Sequence, residues 1–554
     1  MNGFQTNGSR GRGALAATTR RKGWGPRLAP IPSVLAACLL ALPACGDCES
    51  EWRAGLGSPD PIAIRGTVVL RDDPMQRLLF LTSPAERQLS VEPVRVGVNV
   101  SAVVPSVDGQ DLFVLSKGAF PRLRESDERP RLTLYDGAPR PPSEGRLEKR
   151  FELDDPMERL ALDPKGEWAA AFGGDAAVVN PNELVLFDLT AGRRTGNQPA
   201  SKTIRSFGGA PKELLFTDEL AVPEGPPRRF LVVLTDRDLA LVDLADLEAP
   251  EKTIRLPGGP DDGASNPVQV VWDDGDPDDP GDARLAVRLE EGSDVVFLRL
   301  GEPATPGDAF SVVVNIVDVG GVPGFVDFVR TDGGLRLAAL VPALSRAVLV
   351  DPATTLAETV SLPHGFSKMR RVTSELGEAG DAADVALLWG ATQHVAFLSL
   401  GSTSATPYRS VDTAELSFPI ERVLDVPAPH AHLKVLVGPS SDVFVLNLQS
   451  RQSFPLHTTF QNVQVRIAPD GQRLWIYERS GNLFSSVRLD ELHPQALYAE
   501  PTLSEVFDIE RGDGGRSVVV LHLDRGWSAT VMDAELPETA KTAYFPALQL
   551  AGLE

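Results

Sequence analysis

The sequence predicts an all-β fold made of repeated small antiparallel sheets, and two recurring markers support this prediction. The first marker is a tight turn between apolar strands. Glycine tolerates the positive φ that such turns need, and aspartate can hydrogen-bond its own backbone there. The turn, written Asp-Gly or Lys-Gly, recurs at residues 108–109, 165–166, 332–333, 470–471 and 513–514.

The second marker is a short apolar strand that usually ends in a polar residue. It recurs as LTLYD, LVLFD, LALVD, VVFLR, AVLVD, VAFLS, VFVLN, LFSSVR and ATVMD. These nine copies end between Asp136 and Asp533, with a mean spacing of about 50 residues. Residues 66–91 look like a tenth copy of the unit at the front.

One unit, residues 463–489, shows the internal pattern. Val463, Val465 and Ile467 alternate with polar residues, the period that places side chains on opposite faces of a sheet. A turn at 469–471, a strand at 474–477, a turn at 480–482 and a strand to residue 489 follow. The unit is therefore a meander of consecutive antiparallel strands.

A period of 40 to 50 residues with about four strands per unit is typical of a β-propeller. A lone hairpin is marginal in water, whereas blades stacked around an axis bury both faces. We predict about 8–10 four-stranded antiparallel blades over residues 61–554, in one ring because no long linker divides the chain. Two smaller rings, an eight-bladed ring and a stacked solenoid are the alternatives. We expect a terminal strand, from 62–70 or 544–550, to complete the last blade and close the ring.

The repeated units resemble the WD-repeat-like and YVTN-type propellers of exported bacterial proteins. The resemblance covers roughly residues 60 to 550. It implies an architecture and does not specify an activity.

The N-terminus predicts export. Arg20, Arg21 and Lys22 precede the apolar run VLAACLLAL at 34–42, which is too short to span a bilayer but suits a secretory signal. The following Leu-Pro-Ala-Cys45 resembles the lipobox of bacterial lipoproteins. That resemblance implies that residues 1–44 are a signal peptide and that Cys45 carries the lipid. Residues 45–60 are then a lipidated linker.

Gly46, which follows the cysteine, implies by the same resemblance an outer-membrane lipoprotein facing the periplasm or the surface. Cys45 and Cys48 also form a Cys-x-x-Cys, an alternative redox or metal pair. We favour the lipid anchor, because there is no second pair and a lipidated cysteine has no free thiol.

The charge balance argues against nucleic acid as a partner. The chain has 54 Lys and Arg against 76 Asp and Glu, a formal net charge of −22. Removing residues 1–44 removes six cations and no acid, which gives −28. A surface this acidic repels phosphate backbones.

One acidic stretch suggests a metal site. Asp274, Asp276 and Asp278 have the alternate spacing with which carboxylates converge on Ca²⁺. However, Asp279 stands where an EF-hand-like loop needs glycine, and Leu285 stands where the bidentate glutamate belongs. A solvated acidic connection between strands is the favoured interpretation, and calcium is the alternative.

Two further motifs have simpler explanations. His430 and His432 could present two imidazoles on one strand face, but a loop at the rim of the sheet is favoured over a partial metal site. Arg511-Gly512-Asp513 matches an adhesion tripeptide, but a turn between two strands of the last blade explains these residues.

The sequence favours a non-catalytic binding or scaffold module for envelope proteins or glycans, held at the membrane by lipid on Cys45. It lacks the Gly-x-Ser-x-Gly, Cys-x-x-Cys-His and Gly-Lys-Ser/Thr signatures of several enzyme and cofactor classes. We therefore expect no cofactor, calcium excepted. The alternative is a propeller hydrolase or dehydrogenase, lactonase-like or cofactor-dependent. Its site would lie at the central channel, with residues drawn from several blades.

Overall fold

The computed structural model describes most of the chain after residue 59. The described residues are 60–138, 146, 148–173, 180–190, 199–205, 209–257, 265–274, 283–303, 309–372, 385–401, 409–439, 441–523, 527–535, 537 and 541–552. Cys45, Cys48, Asp276 and Asp278 lie outside them. Residues 56–554 form one compact unit.

The first five blades contain twenty strands in chain order. They are β1 (Ile62–Ile64), β2 (Thr67–Asp72), β3 (Arg77–Thr82), β4 (Ser90–Arg95), β5 (Val100–Pro105), β6 (Asp111–Ser116), β7 (Arg131–Asp136), β8 (Glu148–Glu152), β9 (Arg159–Leu162), β10 (Trp168–Phe172), β11 (Glu183–Asp188), β12 (Ala200–Thr203), β13 (Glu213–Phe216), β14 (Phe230–Leu234), β15 (Asp238–Asp243), β16 (Lys252–Arg255), β17 (Pro267–Asp273), β18 (Arg284–Leu289), β19 (Asp294–Gly301) and β20 (Ser311–Asp318).

Blades 6 to 10 follow with twenty more. They are β21 (Phe325–Thr331), β22 (Gly334–Val341), β23 (Arg346–Val350), β24 (Ala357–Ser361), β25 (Lys368–Val372), β26 (Val385–Trp389), β27 (His394–Ser399), β28 (Val411–Glu415), β29 (Arg422–Asp425), β30 (Leu433–Val437), β31 (Val443–Asn447), β32 (Gln452–Leu456), β33 (Val463–Ile467), β34 (Arg473–Glu478), β35 (Leu483–Arg488), β36 (Pro494–Tyr498), β37 (Glu505–Glu510), β38 (Arg516–His522), β39 (Ser528–Asp533) and β40 (Ala543–Phe545).

The described strands form ten four-stranded antiparallel sheets arranged in a ring, which confirms the predicted β-propeller. Each sheet consists of four consecutive strands in their sequence order. Every apolar marker strand is the third strand of its blade, and every marker turn joins the first strand to the second. Both sequence markers therefore identified blade positions correctly.

Helices contribute little to this part of the chain. Pro342–Leu344 and Leu548–Leu550 are single 3₁₀ turns. Among the described residues no helix has the length and apolar character needed to cross a bilayer.

Burial follows the position of a strand within its blade. All six residues of β3 and of β6 are buried, whereas the first strand of a blade is only partly buried and the fourth is mostly exposed. The second and third strands are covered on both faces, and this explains why they read as apolar runs instead of alternating.

The hydrophobic core is divided among the junctions between blades. Ten clusters of buried side chains are present, and each one joins a blade to the next. One of them joins blade 1 to blade 10 through residues such as Val68, Leu79, Phe507 and Val519. Hydrophobic packing therefore continues around the whole ring.

Of the two terminal segments predicted to complete the last blade, the C-terminal one does so at its start, because β40 (Ala543–Phe545) is the fourth strand of blade 10. Residues 62–70 belong to blade 1, so no strand is exchanged between the first blade and the last. Strand β1 pairs with β2 of its own blade, and β40 pairs with β39. Packing closes the ring without an exchanged strand, because blade 10 already has four strands of its own and meets blade 1 across an apolar cluster.

A buried arginine forms polar contacts where the two ends of the propeller meet. Arg77 on β3 lies 2.8 Å from the carboxylate of Asp72. Its other guanidinium nitrogens donate to the carbonyls of Gln549 and Ala551, at 2.5 and 2.6 Å. The C-terminal 3₁₀ turn is thereby held against blade 1.

We expect Arg77→Met to lower the free energy of unfolding by about 3 kcal/mol, because it leaves the carboxylate of Asp72 buried without its partner. Urea unfolding followed by circular dichroism measures the change. Arg87→Met is the matched control, since Arg87 pairs with Glu86 at the surface. Such exposed pairs contribute at most about 1 kcal/mol. Equal losses in the two variants would contradict the role given to Arg77.

Candidate functional site

The predicted calcium site is described at one of its three positions. Asp274 follows β17, and its backbone carbonyl accepts a hydrogen bond from the amide of Ala221 at 2.9 Å. Asp276 and Asp278 lie outside the described residues. The calcium interpretation therefore stays a prediction.

His430 and His432 lie in the turn between β29 and β30, with ring centroids 6.0 Å apart. The amide of His430 donates to the carbonyl of Pro427. Within the described ranges, no group of three or more His, Cys, Asp or Glu side chains is placed to hold a metal. The structure thus places this pair in the loop that the sequence favoured.

The tripeptide 511–513 forms the turn between β37 and β38. The guanidinium of Arg511 donates to Asp513 at 2.9 Å and to Asp533 at 3.1 Å. The carboxylate of Asp513 also accepts from the amide of Gly515. Both charged side chains take part in the turn, as the sequence suggested.

The first strands of neighbouring blades line the centre of the ring. Strand β17 contacts β21, β21 contacts β25, and β1 contacts both β5 and β37. Side chains on these strands come from distant parts of the sequence and meet at the channel wall.

A cavity of about 890 Å³ opens on this wall across blades 5 to 8, and we name it the channel-wall cavity. Its lining comes mainly from β17, β18, β21, β25 and the β29–β30 pair. Phe325, Met369 and Trp389 contribute apolar surface to it. A pocket of this size suits a small organic molecule.

Cations predominate among the charged residues of the channel-wall cavity. Five are basic and two are acidic: Arg288, Lys368, Arg370, Arg371 and Lys434 against Asp327 and Asp425. This excess is notable in a chain whose net charge is −22. The cavity therefore differs in sign from the protein as a whole.

The two acids only partly neutralise the cations. Asp425 is shared by Arg370 and by Lys434, whose ammonium lies 2.7 Å away. Asp327 lies 3.4 Å from Arg371. Lys368 is exposed and forms no ion pair with the residues that the structure describes.

Arg288 is positioned by neutral groups. Its guanidinium donates to the side-chain oxygen of Gln269 and to the carbonyl of Pro323, both at 3.2 Å. The same Gln269 amide bonds to the backbone of Val326 on the neighbouring blade. Burial lowers the pKa of Arg288 from its ordinary value, opposed by the charge of Glu290.

Trp389, at the end of β26, presents an unused donor. The residue borders the channel-wall cavity, but its side chain is only 7% exposed and packs in the apolar cluster between blades 7 and 8. Its indole N–H is buried and has no partner within the described structure. The same hairpin contains two more buried polar atoms without partners, on Thr392 and His394. The His394 ring stacks on His364 with centroids 3.6 Å apart.

The blade 9–10 junction is rich in buried charge. The hydroxyl of Tyr477 donates to Glu505 at 2.5 Å, and Arg466 donates to the same carboxylate at 2.8 Å. Burial, opposed by Arg466 and reinforced by Glu505, raises the pKa of Tyr477 to about 12. The tyrosine therefore remains a hydrogen-bond donor at neutral pH.

Asp508 lies at the same junction, next to Trp475 and Arg516. It accepts from the indole of Trp475 at 3.1 Å and from Arg516 at 2.6 and 2.9 Å. Burial nevertheless raises the pKa of Asp508 to about 6, against the opposing effect of Arg516. Every charged group discussed at this junction joins blade 9 to blade 10, so we assign it a structural role.

A second candidate surface lies on the outside of the ring, at the fourth strand of blade 5. Eight of the other nine outer strands contain a charged residue or proline within the strand, and β40 is only three residues long. Charge, proline and brevity are devices that protect sheet edges. In contrast, β20 reads SVVVNIVD over eight residues, with its single charge at the last position.

The middle of β20 is open to solvent on both faces. Val313, Val314 and Ile316 are 36%, 42% and 52% exposed. Val317 is buried against the blade 5–6 cluster, and Val312 packs on the blade 4–5 cluster. The strand is therefore fixed near its ends and unprotected between them.

Sequence reasoning missed both surfaces. The run Lys368-Met-Arg-Arg371 is a basic segment in an acidic chain, and it was the available signal for the cavity. For β20 the signal was an apolar run directly after a marker strand. The markers concerned the first turn and the third strand of each unit, so they gave no information on the fourth strands.

Comparison with known proteins does not identify a family. No family model matches the chain, and no curated protein matches it. Among solved structures it is similar to Sqt1 of Saccharomyces cerevisiae, at 12% identity over 66% of this chain and 93% of that one, with a TM-score of 0.38.

Two other solved structures are similar to the chain. The dihydro-heme d1 dehydrogenase NirN, in complex with DHE, shares 12% identity over 88% of this chain and 75% of its own, with a TM-score of 0.32. A eukaryotic initiation factor shares 10% identity over 73% of this chain and 88% of its own, with a TM-score of 0.41. At this identity the likeness concerns the fold alone.

The raised pKa of Asp508 predicts a pH-dependent stability. A carboxyl whose pKa is higher in the folded state than in the unfolded state stabilises the fold when protonated, and loses that contribution as the pH rises. We expect the free energy of unfolding of the wild type, relative to Asp508→Asn at the same pH, to fall by about 2 kcal/mol between about pH 4 and pH 7.

Urea titrations of both proteins across this range measure the difference. Asp513→Asn is the control with the opposite sign. The backbone hydrogen bond from Gly515 and the side chain of Arg511 lower the pKa of Asp513, so its contribution fades as the pH falls. If the free energy of unfolding of the wild type, relative to Asp508→Asn, instead rises with pH, the fold stabilises the ionised form of the Asp508 carboxyl and the prediction is wrong.

Proposed function

We propose that this chain is an exported, lipid-anchored propeller that works as a non-catalytic binding module. We propose further that a partner protein docks on it by adding a β-strand to β20. The observation that carries this proposal is the unprotected edge of β20, set against nine protected outer strands in the same molecule.

The physics of strand addition suits this edge. Along an outermost strand, alternate backbone N–H and C=O groups point away from the sheet and lack a ladder partner. An extended peptide satisfies these groups, and side chains at alternate positions supply the specificity. Val314 and Ile316 lie two residues apart, so both contact the same face of an added strand.

The charges around β20 favour a foreign strand with basic ends. The hydroxyl of Ser293 and the amide of Gly320 hold the pKa of Asp318 below its ordinary value, so this end of the strand is negative at neutral pH. Glu302 is exposed at the other end, where Ser311 donates to its carbonyl at 2.6 Å. Lysine or arginine flanking an apolar segment complements both ends.

The same charges disfavour a second copy of this chain as the occupant. Antiparallel pairing of β20 with its own copy brings Asp318 to the end where Glu302 lies, and does so twice. Each copy, once residues 1–44 are removed, also has a formal net charge of −28. Long-range repulsion and the contact of acid with acid both oppose such a dimer.

The anchor part of the proposal is supported by the lipobox-like segment that ends at Cys45. Processing there places the lipid about fifteen residues before the first described residue, Asp60. A lipid at this position keeps the propeller at an envelope surface, where its partner would be an envelope protein.

Photo-crosslinking tests the docking surface. We expect a benzoylphenylalanine placed at Val314 to form adducts in solubilised envelopes, and one at Thr359 to form none. Thr359 is the matched control, because it is an exposed residue in the middle of β24, a protected outer strand. The crosslinked peptide should contain an apolar run flanked by lysine or arginine.

A companion substitution tests the energetics. Ile316→Lys places a charge in the middle of β20, the device that protects other outer strands. It should lower the yield of the crosslinked adduct at position 314 by about tenfold. Thr359→Lys should leave it unchanged. No adduct at position 314, or an adduct with a second copy of the chain, would refute docking of a foreign strand.

Acylation tests the anchor separately. We expect the full-length chain to incorporate labelled palmitate in a bacterial host, and Cys45→Ser to abolish the label. Cys48→Ser is the control and should keep it, because only the cysteine at the lipobox position becomes the N-terminus. Loss of label in both variants would indicate that the two cysteines act as a pair.

A further inference from the structure

We propose that the channel-wall cavity binds a small organic anion that bears two or more oxyanion groups. This inference goes beyond the docking of a protein on β20 and depends on different residues. The site lies on the inner wall of the ring, whereas β20 lies on its outside.

The first argument is the concentration of positive charge. Five cations and two carboxylates leave a formal excess of three positive charges in one cavity of a strongly acidic protein. Charges in a concave, low-dielectric wall focus their field into the space between them. An anion entering the channel is attracted there and is repelled by most of the remaining surface.

The second argument is the balance of donors and acceptors. Arginine, lysine and the tryptophan indole donate hydrogen bonds and cannot accept them. The carboxylate and amide acceptors in the lining already have partners, Asp425 and Asp327 in ion pairs and Gln269 with Arg288 and Val326, and the hydroxyl of Ser367 is the other side-chain acceptor there. A ligand must therefore supply acceptors, and oxyanion groups do so in the form that cations bind best.

The third argument is the buried indole of Trp389. Burying a hydrogen-bond donor without a partner is costly, so native structures rarely leave one unpaired. Trp389 lines the cavity and is more than nine-tenths buried. The N–H is closed off from solvent in this structure, so an oxyanion of the ligand takes it up through a shift of the Trp389 side chain toward the cavity. Phe325, which borders the cavity, contacts the carbon frame of the ligand.

A purely structural role explains some of the cations but not all of them. Arg371 joins blade 7 to Asp327 of blade 6, and Arg370 joins blade 7 to Asp425 of blade 8. These ion pairs fasten neighbouring blades. Lys368 forms no ion pair with the described residues, and the indole N–H of Trp389 has no hydrogen-bond partner among them. We therefore assign both residues to ligand binding.

The open shape of the cavity and the spread of its cations indicate what kind of ligand fits it. Its volume of about 890 Å³ is that of a small-molecule site. The cations are distributed over β18, β25 and β30, so a single oxyanion contacts only a subset of them. At least two oxyanion groups on one frame are needed to neutralise an excess of three charges.

Titration calorimetry of the full-length chain at constant ionic strength tests the proposal, with tricarballylate, glucuronate, sulfate and glucose as probes. We expect saturable one-to-one binding of tricarballylate, weaker binding of glucuronate and sulfate, and none of glucose. Tricarballylate should also change the tryptophan fluorescence of the protein, and Trp389→Phe should remove that change.

Matched variants identify the residues. Lys368→Met should weaken tricarballylate binding by about tenfold. Arg422→Met should leave it unchanged, because Arg422 is an exposed cation on β29 that, unlike Asp425 of the same strand, is not among the residues lining the cavity. Circular dichroism and the melting temperature without ligand establish that both variants fold.

Three results would overturn the proposal. They are no saturable binding of any of the three anions, equal weakening by Lys368→Met and Arg422→Met, and a fluorescence change that persists in Trp389→Phe. None of these results bears on crosslinking at β20, so the two proposals fail separately.

Discussion

The fold depends on hydrophobic packing between neighbouring blades. Each four-stranded sheet has two apolar faces and no core of its own, so every blade is stabilised by the blades on either side of it. Ten clusters supply this packing, one at each junction, including the junction of blade 10 with blade 1. Because this last junction packs like the others, the ring closes without an exchanged strand. Arg77 adds a polar fastening at the place where the two ends of the propeller meet.

This constraint separates the positions available for function from those that are not. The second and third strands are buried on both faces and are mostly apolar, and the polar residues that they give to the cavity, Arg288 and Lys434, stand near strand ends. The first strands face the channel and the fourth strands face solvent, so these are free to vary. Some charged residues there have structural roles: Arg371 with Asp327, and Glu505 with Arg466, connect adjacent blades. Three features do not connect blades in this way. They are the side chain of Lys368, the unpartnered indole N–H of Trp389 and the unprotected edge of β20.

The structural features that recur in every blade could be predicted from the sequence, whereas those that occur only once could not. The marker strand reads LVLFD at β11 and AVLVD at β23 because burial on both faces imposes the same choice in every blade, so the architecture could be read from one chain. The way in which the ring closes could not be predicted from the sequence, because the packing of Val68 with Phe507 leaves no local sequence pattern. The cavity combines Arg288, Lys368 and Lys434, which are distant in sequence and meet only when blades 5, 7 and 8 take their places in the ring. The exposed edge of β20 emerged only from comparison with the other nine outer strands.

Blade 5 contributes to both proposed sites, so the physical connection between them matters. Gln269 and Arg288, on its first and second strands, belong to the cavity, while β20 is its fourth strand. Between them lies β19, whose Val296 and Leu298 are buried in the cluster shared with blade 4 and whose Val295 and Phe297 are buried in the cluster shared with blade 6. A strand added outside β20 extends the hydrogen-bonded ladder without displacing these side chains. Since close-packed interiors resist small displacements and well-separated sites contribute additively, the outer surface and the inner cavity should act independently.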